Sequence, residues 1–395
     1  MTSTASEQAR VNAGLLRLVE ERTGSLAQQW RDAFLAVPRH RFLPDVVWVR
    51  RRGERVPERI DRRASPDAWF AAAYQDVSVI VQLNDGAEAG PNPVWPSSSA
   101  SQPTVVAGML LALDVRDGHR VLEIGTGSGW NAGLLAHRLG ADRVVTVELD
   151  RALAVEARRR LTAIGPAPRV VTGDGAEGWA NGSPYDRVLC TCSVERVPAP
   201  WIAQTRTGGR IVTPWATSWT ADGSLVLTTH QDGSAVGPFV PGGAFMRMRA
   251  HRTGRIDDLD DVVRPEHVPD SGTTTVSPWD VTGDADFAIG VAVPRVWHLW
   301  EPNPGLDGVH TRIWVADEAG SSWACVDYDG AGLAVFAVRQ YGPRRLWDEV
   351  AAAWTWWDSA HRPGLDRFGV SVRPDGTQIV WHGSPGGPSW PVPLA

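Results

Sequence analysis

Short apolar segments alternate with helical segments between residues 120 and 213, and this alternation constrains the possible folds more than any other feature of the sequence. Near-continuous apolar runs are typical of strands in a parallel sheet that is covered on both faces. Helices between such strands supply the covering layers, so the pattern predicts an α/β fold with a doubly wound, mainly parallel sheet. The expected strands are Arg120–Ile124, Val144–Glu148, Arg169–Val171, Arg187–Cys192 and Arg210–Thr213. The helices expected between them include Asn131–Leu139 and Ala152–Ile164.

The segments on either side of this region give weaker signals. Apolar residues recur at helical spacing from Asn12 to Phe34, which predicts helix there. The segment Asp85–Ser101 is rich in Gly, Pro and Ser, so we expect a loop. After the parallel strands, Ser224–His230 and Ala244–Ala250 are predicted as two further strands that end the sheet in antiparallel fashion.

A change in composition indicates a second domain. Residues 253–285 contain several aspartates and prolines but few large apolar residues, which predicts a linker. We therefore expect one domain at 1–252 and a small α+β domain at 286–395. Its expected elements are the strands Val291–Trp300, Arg312–Asp317, Ser322–Tyr328 and Leu333–Gln340, the helix Arg344–His361, and the hairpin strands Phe368–Arg373 and Thr377–His382. The side chains that share one face of this helix, and are expected in the core, are Trp347, Val350, Trp354 and Trp357.

Charge and cysteine content exclude several classes of protein. A formal net charge of −6 disfavours nucleic-acid binding, because such proteins carry a basic excess or a basic stripe. The N-terminus lacks a signal pattern and no apolar run reaches ~18 residues, so we expect a cytoplasmic protein without a membrane partner. The C-x-C spacing of Cys190 and Cys192 differs from zinc and redox motifs, so we expect buried thiols and no metal.

A glycine-rich turn follows the first parallel strand. Gly125, Gly127 and Gly129 allow the backbone to turn tightly and to approach a ligand. Glu148 ends the second strand, where a carboxylate can accept both hydroxyls of a ribose, and Asp174 ends the third, where it can meet an adenine amine. The turn after the first parallel strand is not a Gly-x-Gly-x-x-Gly and the chain has no Lys, so an adenosyl ligand without phosphate fits better than NAD or ATP. The alternative is that both carboxylates only cap the following turns.

Several segments, taken together and in order, resemble the protein-L-isoaspartate O-methyltransferase family over residues ~40–250. They are Val37-Pro38-Arg39-His40-Arg41-Phe42-Leu43-Pro44, Ala73-Tyr74-Gln75-Asp76, Ser99-Ala100-Ser101-Gln102-Pro103, Val121 to Trp130, Gly173-Asp174-Gly175, Pro184-Tyr185-Asp186 and Gly208-Gly209-Arg210. The resemblance implies a Rossmann-like methyltransferase domain at 1–252 that uses S-adenosylmethionine and acts on a peptide.

The resemblance also implies roles for individual residues. Ser101 is implied to contact the substrate carboxylate. The other residues implied at the substrate are Ser98, Ser99, Gln102, Thr191 and Cys192. The residues implied at the cofactor are Glu123, Gly125, Thr126, Gly127, Ser128, Gly129, Glu148, Leu149, Gly173, Asp174 and Gly175. A carboxylate with an ordinary pKa of ~3.9 is already ionised at neutral pH, so neither a general base nor a metal is required. Because Cys190–Ser193 stands where DNA base methyltransferases carry Asn-Pro-Pro-aromatic, methylation of DNA bases is disfavoured.

Two departures from the repair enzymes of this family bear on the substrate. The segment Val79–Ser98 is longer and differently composed, and the chain continues for about 140 residues beyond the family's domain. Both fit a divergent branch that methylates an ordinary aspartate in a modified ribosomal precursor peptide, where the ester closes to an aspartimide and then hydrolyses to isoaspartate. We therefore expect that activity, with residues 286–395 recognising the peptide. The alternatives are ordinary isoaspartyl repair and a catalytically silent scaffold that binds a protein partner.

Overall fold

The computed structural model describes residues 5–50, 56–87, 95–249, 252, 258–332 and 334–394. The chain forms two compact units. The first comprises Met1–Cys192, Pro198–Thr213 and Val226–Ala235, and the second comprises Ser193–Val197, Pro214–Leu225 and Val236–Ala395. Residues 236–249, which the sequence analysis places in the first domain, therefore belong to the second unit.

The first unit contains seven helices and ten strands among its described residues. The helices are α1 (Ala5–Thr23), α2 (Gln28–Ala36), α3 (Pro66–Tyr74), α4 (Pro103–Leu113), α5 (Trp130–Leu139), α6 (Arg151–Thr162) and α7 (Ala199–Ala203). The strands are β1 (Val46–Val49), β2 (Glu58–Asp61), β3 (Val79–Leu83), β4 (Pro96–Ala100), β5 (Val121–Ile124), β6 (Val144–Glu148), β7 (Arg169–Thr172), β8 (Tyr185–Cys190), β9 (Thr205–Pro214) and β10 (Ser224–Thr229).

The central sheet of this unit confirms the predicted doubly wound fold. Strands β5 to β9 lie in the order β9-β8-β5-β6-β7, with every neighbouring pair parallel, and β10 lies beside β9. Chain order therefore runs outward in both directions from β5. In open α/β sheets of this kind, ligands bind beyond the carboxyl ends of the strands at the point where the direction of winding reverses. That point lies after Ile124 of β5 and Cys190 of β8.

A second, antiparallel sheet in the first unit corrects part of the sequence analysis. Its strands lie in the order β2-β1-β3-β4. The predicted loop Asp85–Ser101 is therefore wrong at Pro96–Ala100, which pairs with β3. Proline and three serines hide this strand in the sequence, because its pairing with the apolar β3 is what defines it. Residues 88–94 of the same prediction lie outside the described residues.

The N-terminal helical segment is also more complex than predicted. Helices α1 and α2 replace the single helical stretch from Asn12 to Phe34, and Gly24 lies between them with a φ of +85°. A left-handed residue ends a helix, and glycine adopts that conformation without steric cost. Asn12 then joins the two helices, because its side-chain amide donates to the carbonyl oxygens of Phe34 and Leu35 over 3.0 Å each.

The described residues of the second unit form three helices and nine strands. The helices are α8 (Leu259–Val262), α9 (Asp286–Ala292) and α10 (Leu346–Ser359). The strands are β11 (Ala235–Val240), β12 (Asp270–Thr274), β13 (Val296–Pro302), β14 (Thr311–Asp317), β15 (Trp323–Tyr328), β16 (Phe336–Tyr341), β17 (Phe368–Val372), β18 (Gln378–His382) and β19 (Ser389–Pro391). Strands β12 to β16 make an antiparallel sheet in the order β12-β16-β15-β14-β13.

Three predictions for this part of the chain are wrong. The expected linker contains α8 and β12, and Val262 is fully buried in a core cluster with Trp297 and Trp323. The expected strand Val291–Trp300 begins as the end of α9, because the helix reaches Ala292 before β13 starts. The expected strand Ala244–Ala250 is absent from the described residues, where β11 occurs earlier instead. Gly237 and Pro238 are poor strand formers and hide β11 in the sequence.

The remaining predictions here hold closely. On α10, Trp347, Val350 and Trp357 are buried as expected, whereas Trp354 is only partly buried. The predicted hairpin is present as β17 and β18, which pair in antiparallel register. In the described part of the chain, no helix is both long and apolar enough to span a bilayer.

Candidate active site

The glycine-rich turn connects β5 to α5 at the point where the winding of the sheet reverses. The backbone N–H groups of Gly125 and Thr126 donate to the carbonyl oxygen of Val147, over 2.9 and 3.2 Å, which fixes the turn against β6. Gly125 has a φ of +90° and Gly127 a φ of +51°, the left-handed region that favours glycine. A Cβ atom on Gly125 would lie 2.7 Å from Thr191 Oγ1. The turn therefore requires glycine for both its conformation and its packing.

Glu148 is the carboxylate most firmly held at this edge of the sheet. Its Oε2 accepts a hydrogen bond from Gly127 N over 2.8 Å, and its Oε1 accepts one from Asp150 N over 3.0 Å. The residue is 8 % exposed. Each carboxylate oxygen has two lone pairs, so these contacts leave acceptor capacity beside the turn. The side chain is thus pre-oriented for donors such as the hydroxyls of a ribose.

Glu123, predicted at the cofactor, has a different position. It is fully buried, and its two oxygens accept from Asn131 Nδ2 over 2.6 Å and from Thr146 Oγ1 over 2.5 Å. Burial raises the pKa of this carboxyl group to about 7. Glu123 therefore ties α5 and β6 together beneath the turn, and its side chain has no open face for a ligand.

The side chains of Thr126 and Ser128 are also directed into the protein. Thr126 is 4 % exposed, and its hydroxyl lies 2.6 Å from that of Thr146. Ser128 is 3 % exposed, and its hydroxyl accepts a long 3.4 Å bond from Trp130 N. These two residues can offer a ligand only their backbone groups.

The ends of β6 and β7 present two more of the predicted cofactor residues. Leu149 is 46 % exposed, which gives the site an apolar surface directly after Glu148. Asp174 is exposed and accepts a bond from Ala176 N over 2.9 Å, so it caps the short turn that begins at Gly175. Gly173 N donates to the Glu148 carbonyl oxygen over 2.9 Å, which joins the two strand ends. Capping and ligand binding are compatible for Asp174, because capping occupies one oxygen.

The serine-rich strand β4 lies against the glycine turn. The Cβ position of Gly127 is 3.5 Å from both Ser98 Oγ and the Ser99 carbonyl oxygen. Ser98 is buried, whereas Ser99, Ser101 and Gln102 are partly exposed. The structure thus brings two of the predicted substrate residues, Ser98 and Ser99, next to the predicted cofactor turn.

Arg39 holds the end of β4 in position, a role that sequence reasoning did not assign. The guanidinium is fully buried and donates to five carbonyl oxygens over 2.8–3.1 Å. The acceptors are the carbonyls of Ala73, Gln75, Val77, Ala100 and Ser101. Burial lowers the pKa of Arg39 to about 9. The first family-like segment therefore contains the residue that anchors Ser101.

Asp76, in the second family-like segment, anchors the other side of Ser101. Its oxygens accept from Thr104 N and Thr104 Oγ1 over 2.9 Å each, and from Gln102 Nε2 over 3.0 Å. These contacts satisfy donors at the start of α4, as an N-cap residue does. Arg22 pairs with the same carboxylate at 2.8 Å. The amide nitrogen of Gln102 is therefore engaged in structure, and its place at the substrate stays a prediction.

A further pair of contacts joins the antiparallel sheet to the parallel sheet. Gln82 Nε2 donates to Asp150 Oδ2 over 2.8 Å, and Gln82 Oε1 accepts from Ser97 Oγ over 2.9 Å. Asp150 also caps α6 through its other oxygen. Gln82 lies in the segment that departs from the family pattern, so the altered segment is still anchored beside the cofactor turn.

Thr191 and Cys192 follow β8. Thr191 Oγ1 donates to the carbonyl oxygen of Gly125 over 2.6 Å, so its hydroxyl fixes the turn, and its predicted place at the substrate stays a prediction. Cys192 is partly exposed, and its sulfur lies 3.3 Å from that of buried Cys190. In the described residues, no group of three or more His, Cys, Asp and Glu side chains could hold a metal ion.

These features define what the site can bind. Backbone groups of a glycine turn, a fixed carboxylate and an exposed apolar side chain suit an adenosyl group. The guanidinium of Arg39 is fully buried and engaged with carbonyl oxygens, so it is not placed to neutralise a diphosphate, and the chain has no lysine. The adjoining serines suit a carboxylate.

Comparison with known proteins gives matches across this region. The sequence profile described as protein-L-isoaspartate(D-aspartate) O-methyltransferase matches residues 54–237. A protein-L-isoaspartate O-methyltransferase of Gloeobacter violaceus is 35% identical over 214 residues, which are 54% of this chain and 86% of the relative. Protein-L-isoaspartate O-methyltransferase 2 of Polaromonas sp. is 37% identical over 145 residues, 36% of this chain and 68% of the relative.

Solved structures give a match over more of the chain. A protein-L-isoaspartate O-methyltransferase superposes with a TM-score of 0.53 and 19% identity, over 94% of this chain and 100% of that one. At this level of identity the likeness concerns the fold. It extends well beyond the residues that the sequence profile covers.

Proposed function

This chain belongs to the protein-L-isoaspartate(D-aspartate) O-methyltransferase family, and from that premise we propose that it methylates the free carboxylate of an isoaspartyl residue in a protein or peptide. The protein is a carboxyl O-methyltransferase that uses S-adenosylmethionine. One observation carries the proposal. The cofactor turn and the serine strand adjoin, with the Cβ position of Gly127 3.5 Å from Ser98 Oγ.

The residues at the cofactor follow from the contacts described above. Glu148 would accept the ribose hydroxyls, Leu149 would contact the adenine face, and Asp174 would accept the exocyclic amine. The backbone at Gly125–Gly129 would lie against the amino acid portion. S-adenosylmethionine supplies an electrophilic methyl group on a sulfonium. These groups suit a ribose and an adenine and include no cation. They therefore fit S-adenosylmethionine, because a cofactor with a diphosphate would need cationic partners.

The chemical step requires no general acid or general base from the protein. The substrate carboxylate is ionised at neutral pH, so it attacks the methyl carbon without a base. The protein must hold that carboxylate in line with the methyl group, and exclude water. The Ser101 hydroxyl would donate one hydrogen bond to the carboxylate, and Arg39 and Asp76 would keep Ser101 in place from either side.

A second candidate substrate is an aspartate in a modified ribosomal precursor peptide, whose ester would close to an aspartimide. The altered segment Val79–Ser98 favours it, since this segment leads into the proposed substrate strand. The C-terminal region is weaker support for this candidate than the sequence suggested. A solved protein-L-isoaspartate O-methyltransferase superposes over 94% of this chain, so the length of the chain does not by itself indicate a different substrate. Because the relatives are named protein-L-isoaspartate O-methyltransferases, we propose isoaspartyl residues as the first candidate substrate. Peptide recognition by the second unit remains a proposal under both candidates.

A mass measurement separates the two candidates. The enzyme is incubated with S-adenosylmethionine and with a candidate modified precursor peptide, chosen from the genes that neighbour its own. Isoaspartyl repair predicts no change in this peptide unless it contains isoaspartate. Gain of one methyl group on an ordinary aspartate, followed by loss of methanol, would instead establish aspartimide formation.

A further inference from the structure

A pocket of about 590 Å³ lies in the first unit, and none of the residues that line it belongs to the candidate active site. Its walls come from the turn that follows α2, from Arg62 directly after β2, and from the C-terminal half of α6 with the residues that follow it. The charged side chains that line it are Arg41, Asp45, Arg62, Glu156, Arg159 and Arg160. The volume is in the range of small-molecule sites in proteins.

The lining has an excess of positive charge, in a chain whose net charge is −6. Four guanidinium groups face two carboxylates. His40 also lines the pocket, and burial lowers its pKa to about 4, so it adds no charge at neutral pH. The local excess of two positive charges therefore runs against the overall charge, which indicates an anionic ligand.

Arg160 is the most informative of these residues. It is 7 % exposed, and its Nη2 lies 3.7 Å from Glu156 Oε2, which is longer than a direct hydrogen bond. Glu156 instead accepts a 3.0 Å bond from Arg159. Among the described residues, no other carboxylate pairs with Arg160. A guanidinium has five N–H donors, and the 3.7 Å ion pair with Glu156 is too long to satisfy any of them by a direct hydrogen bond, so an acceptor from outside the chain would complete it.

Arg41 offers further unused donors on the facing wall. Its side chain is exposed, and it has no ion pair among the described residues. Arg62, by contrast, pairs with Asp45 at 2.7 Å. The guanidinium groups of Arg41 and Arg160 therefore both border this pocket and both have N–H donors without a direct hydrogen bond. Arg160 is more than nine-tenths buried. The planar fork of arginine matches the oxygens of phosphate in bidentate geometry.

We propose that this pocket binds the phosphate group of a small molecule between Arg41 and Arg160. A compact oxyanion is small enough for a site that includes the buried Arg160, whereas an extended acidic peptide would meet the exposed guanidinium groups of Arg41, Arg62 and Arg159. The site is independent of the proposed function, because its residues take no part in cofactor or substrate binding.

Calorimetry with the full chain tests this proposal, with inorganic phosphate, pyrophosphate and metal-free ATP as probes at matched ionic strength. Phosphate and pyrophosphate represent the free anion, and ATP represents a phosphate-bearing metabolite. We expect saturable binding of at least one probe. Arg160→Gln and Arg41→Gln should each weaken it by about tenfold or more, the effect of losing a charge-assisted bond.

Arg138→Gln is the matched control. Its side chain is 11% exposed and pairs with Asp117 outside the pocket, so its loss should leave the affinity unchanged. Binding of S-adenosylhomocysteine, measured in the same samples, reports whether each variant is folded. The proposal is wrong if none of the probes binds the wild type at millimolar concentration, if both pocket variants bind like the wild type, or if only an acidic peptide binds.

Discussion

The backbone N–H of Gly127 donates to Oε2 of Glu148 over 2.8 Å, so the cofactor turn and the carboxylate at the end of β6 form a single hydrogen-bonded unit. The same carboxylate accepts from Asp150 N on its other oxygen. Glu148 therefore cannot swing away to solvent without breaking two backbone bonds. The turn and the proposed ribose site are organised before a ligand arrives, which reduces the entropy lost on binding.

Glu148→Ala should weaken binding of S-adenosylhomocysteine by about 1–3 kcal/mol, the range for a hydrogen bond to a charged group. Isothermal calorimetry measures this directly. Glu177→Ala is a suitable control, because Glu177 is exposed and lies outside the candidate site. An unchanged affinity for Glu148→Ala would leave this residue with only a role in shaping the turn.

Ser101→Ala should reduce turnover by roughly ten- to a hundredfold, because the substrate carboxylate loses one hydrogen bond in the transition state. Affinity for S-adenosylhomocysteine should stay near that of the wild type. Ser97→Ala serves as the control on β4, the strand that leads into Ser101, since its hydroxyl bonds to Gln82 and should not affect turnover. Wild-type turnover in the Ser101 variant would remove this hydroxyl from the mechanism.

Arg39→Lys should lower the free energy of unfolding by about 2–4 kcal/mol, because a single ammonium cannot reach five carbonyl oxygens and several are left unsatisfied. Denaturant titration gives the value. In Arg41→Lys, the same exchange at an exposed neighbouring position should change stability by less than about 0.5 kcal/mol. Equal stability of the wild type and Arg39→Lys would show that water replaces the lost bonds.

Glu123 predicts a pH dependence of stability. Its folded pKa is about 7 and its ordinary value is 4.5, so the folded state retains a proton that the unfolded state releases between these values. Stability should therefore fall as pH rises through this window, and the loss should be complete above about pH 7. Glu123→Gln cannot ionise and should lose less stability. Thermal melting of both proteins from pH 4 to 8 tests this, and parallel curves would contradict the raised pKa.

The alternation of apolar strands and helices predicted all five parallel strands, because strands buried on both faces have a strong hydrophobic signal. β6, for example, begins and ends where the sequence places it. The bounds are less accurate for β9, which begins at Thr205, five residues before the predicted Arg210. The signal fails for β4, whose residues are serine, proline and alanine, since its strand character comes from the partner strand. It fails for β12 too, an exposed edge strand in a segment with the composition of a linker.

For the site, the sequence predicted residues that the structure brings to one edge of the sheet, but it could not predict the orientation of every side chain. The pattern singled out Glu148 and the glycines, because a carboxylate at a strand end and a flexible turn have local signatures. It could not show that Glu123 is directed into the core, or that Gln102 is engaged by Asp76. Those orientations depend on contacts between residues distant in sequence. Arg39 was visible in a family-like segment, but its five acceptors appear only in three dimensions.

The most direct test of the central claim compares two synthetic peptides of one sequence, one with isoaspartate and one with aspartate at the same position. Each is incubated with the enzyme and S-adenosylmethionine, and its mass is followed with time. The account predicts a gain of one methyl group on the isoaspartyl peptide and none on the aspartyl peptide, with the gain lost in Ser101→Ala. Methylation of neither peptide by an enzyme that binds S-adenosylhomocysteine would contradict it.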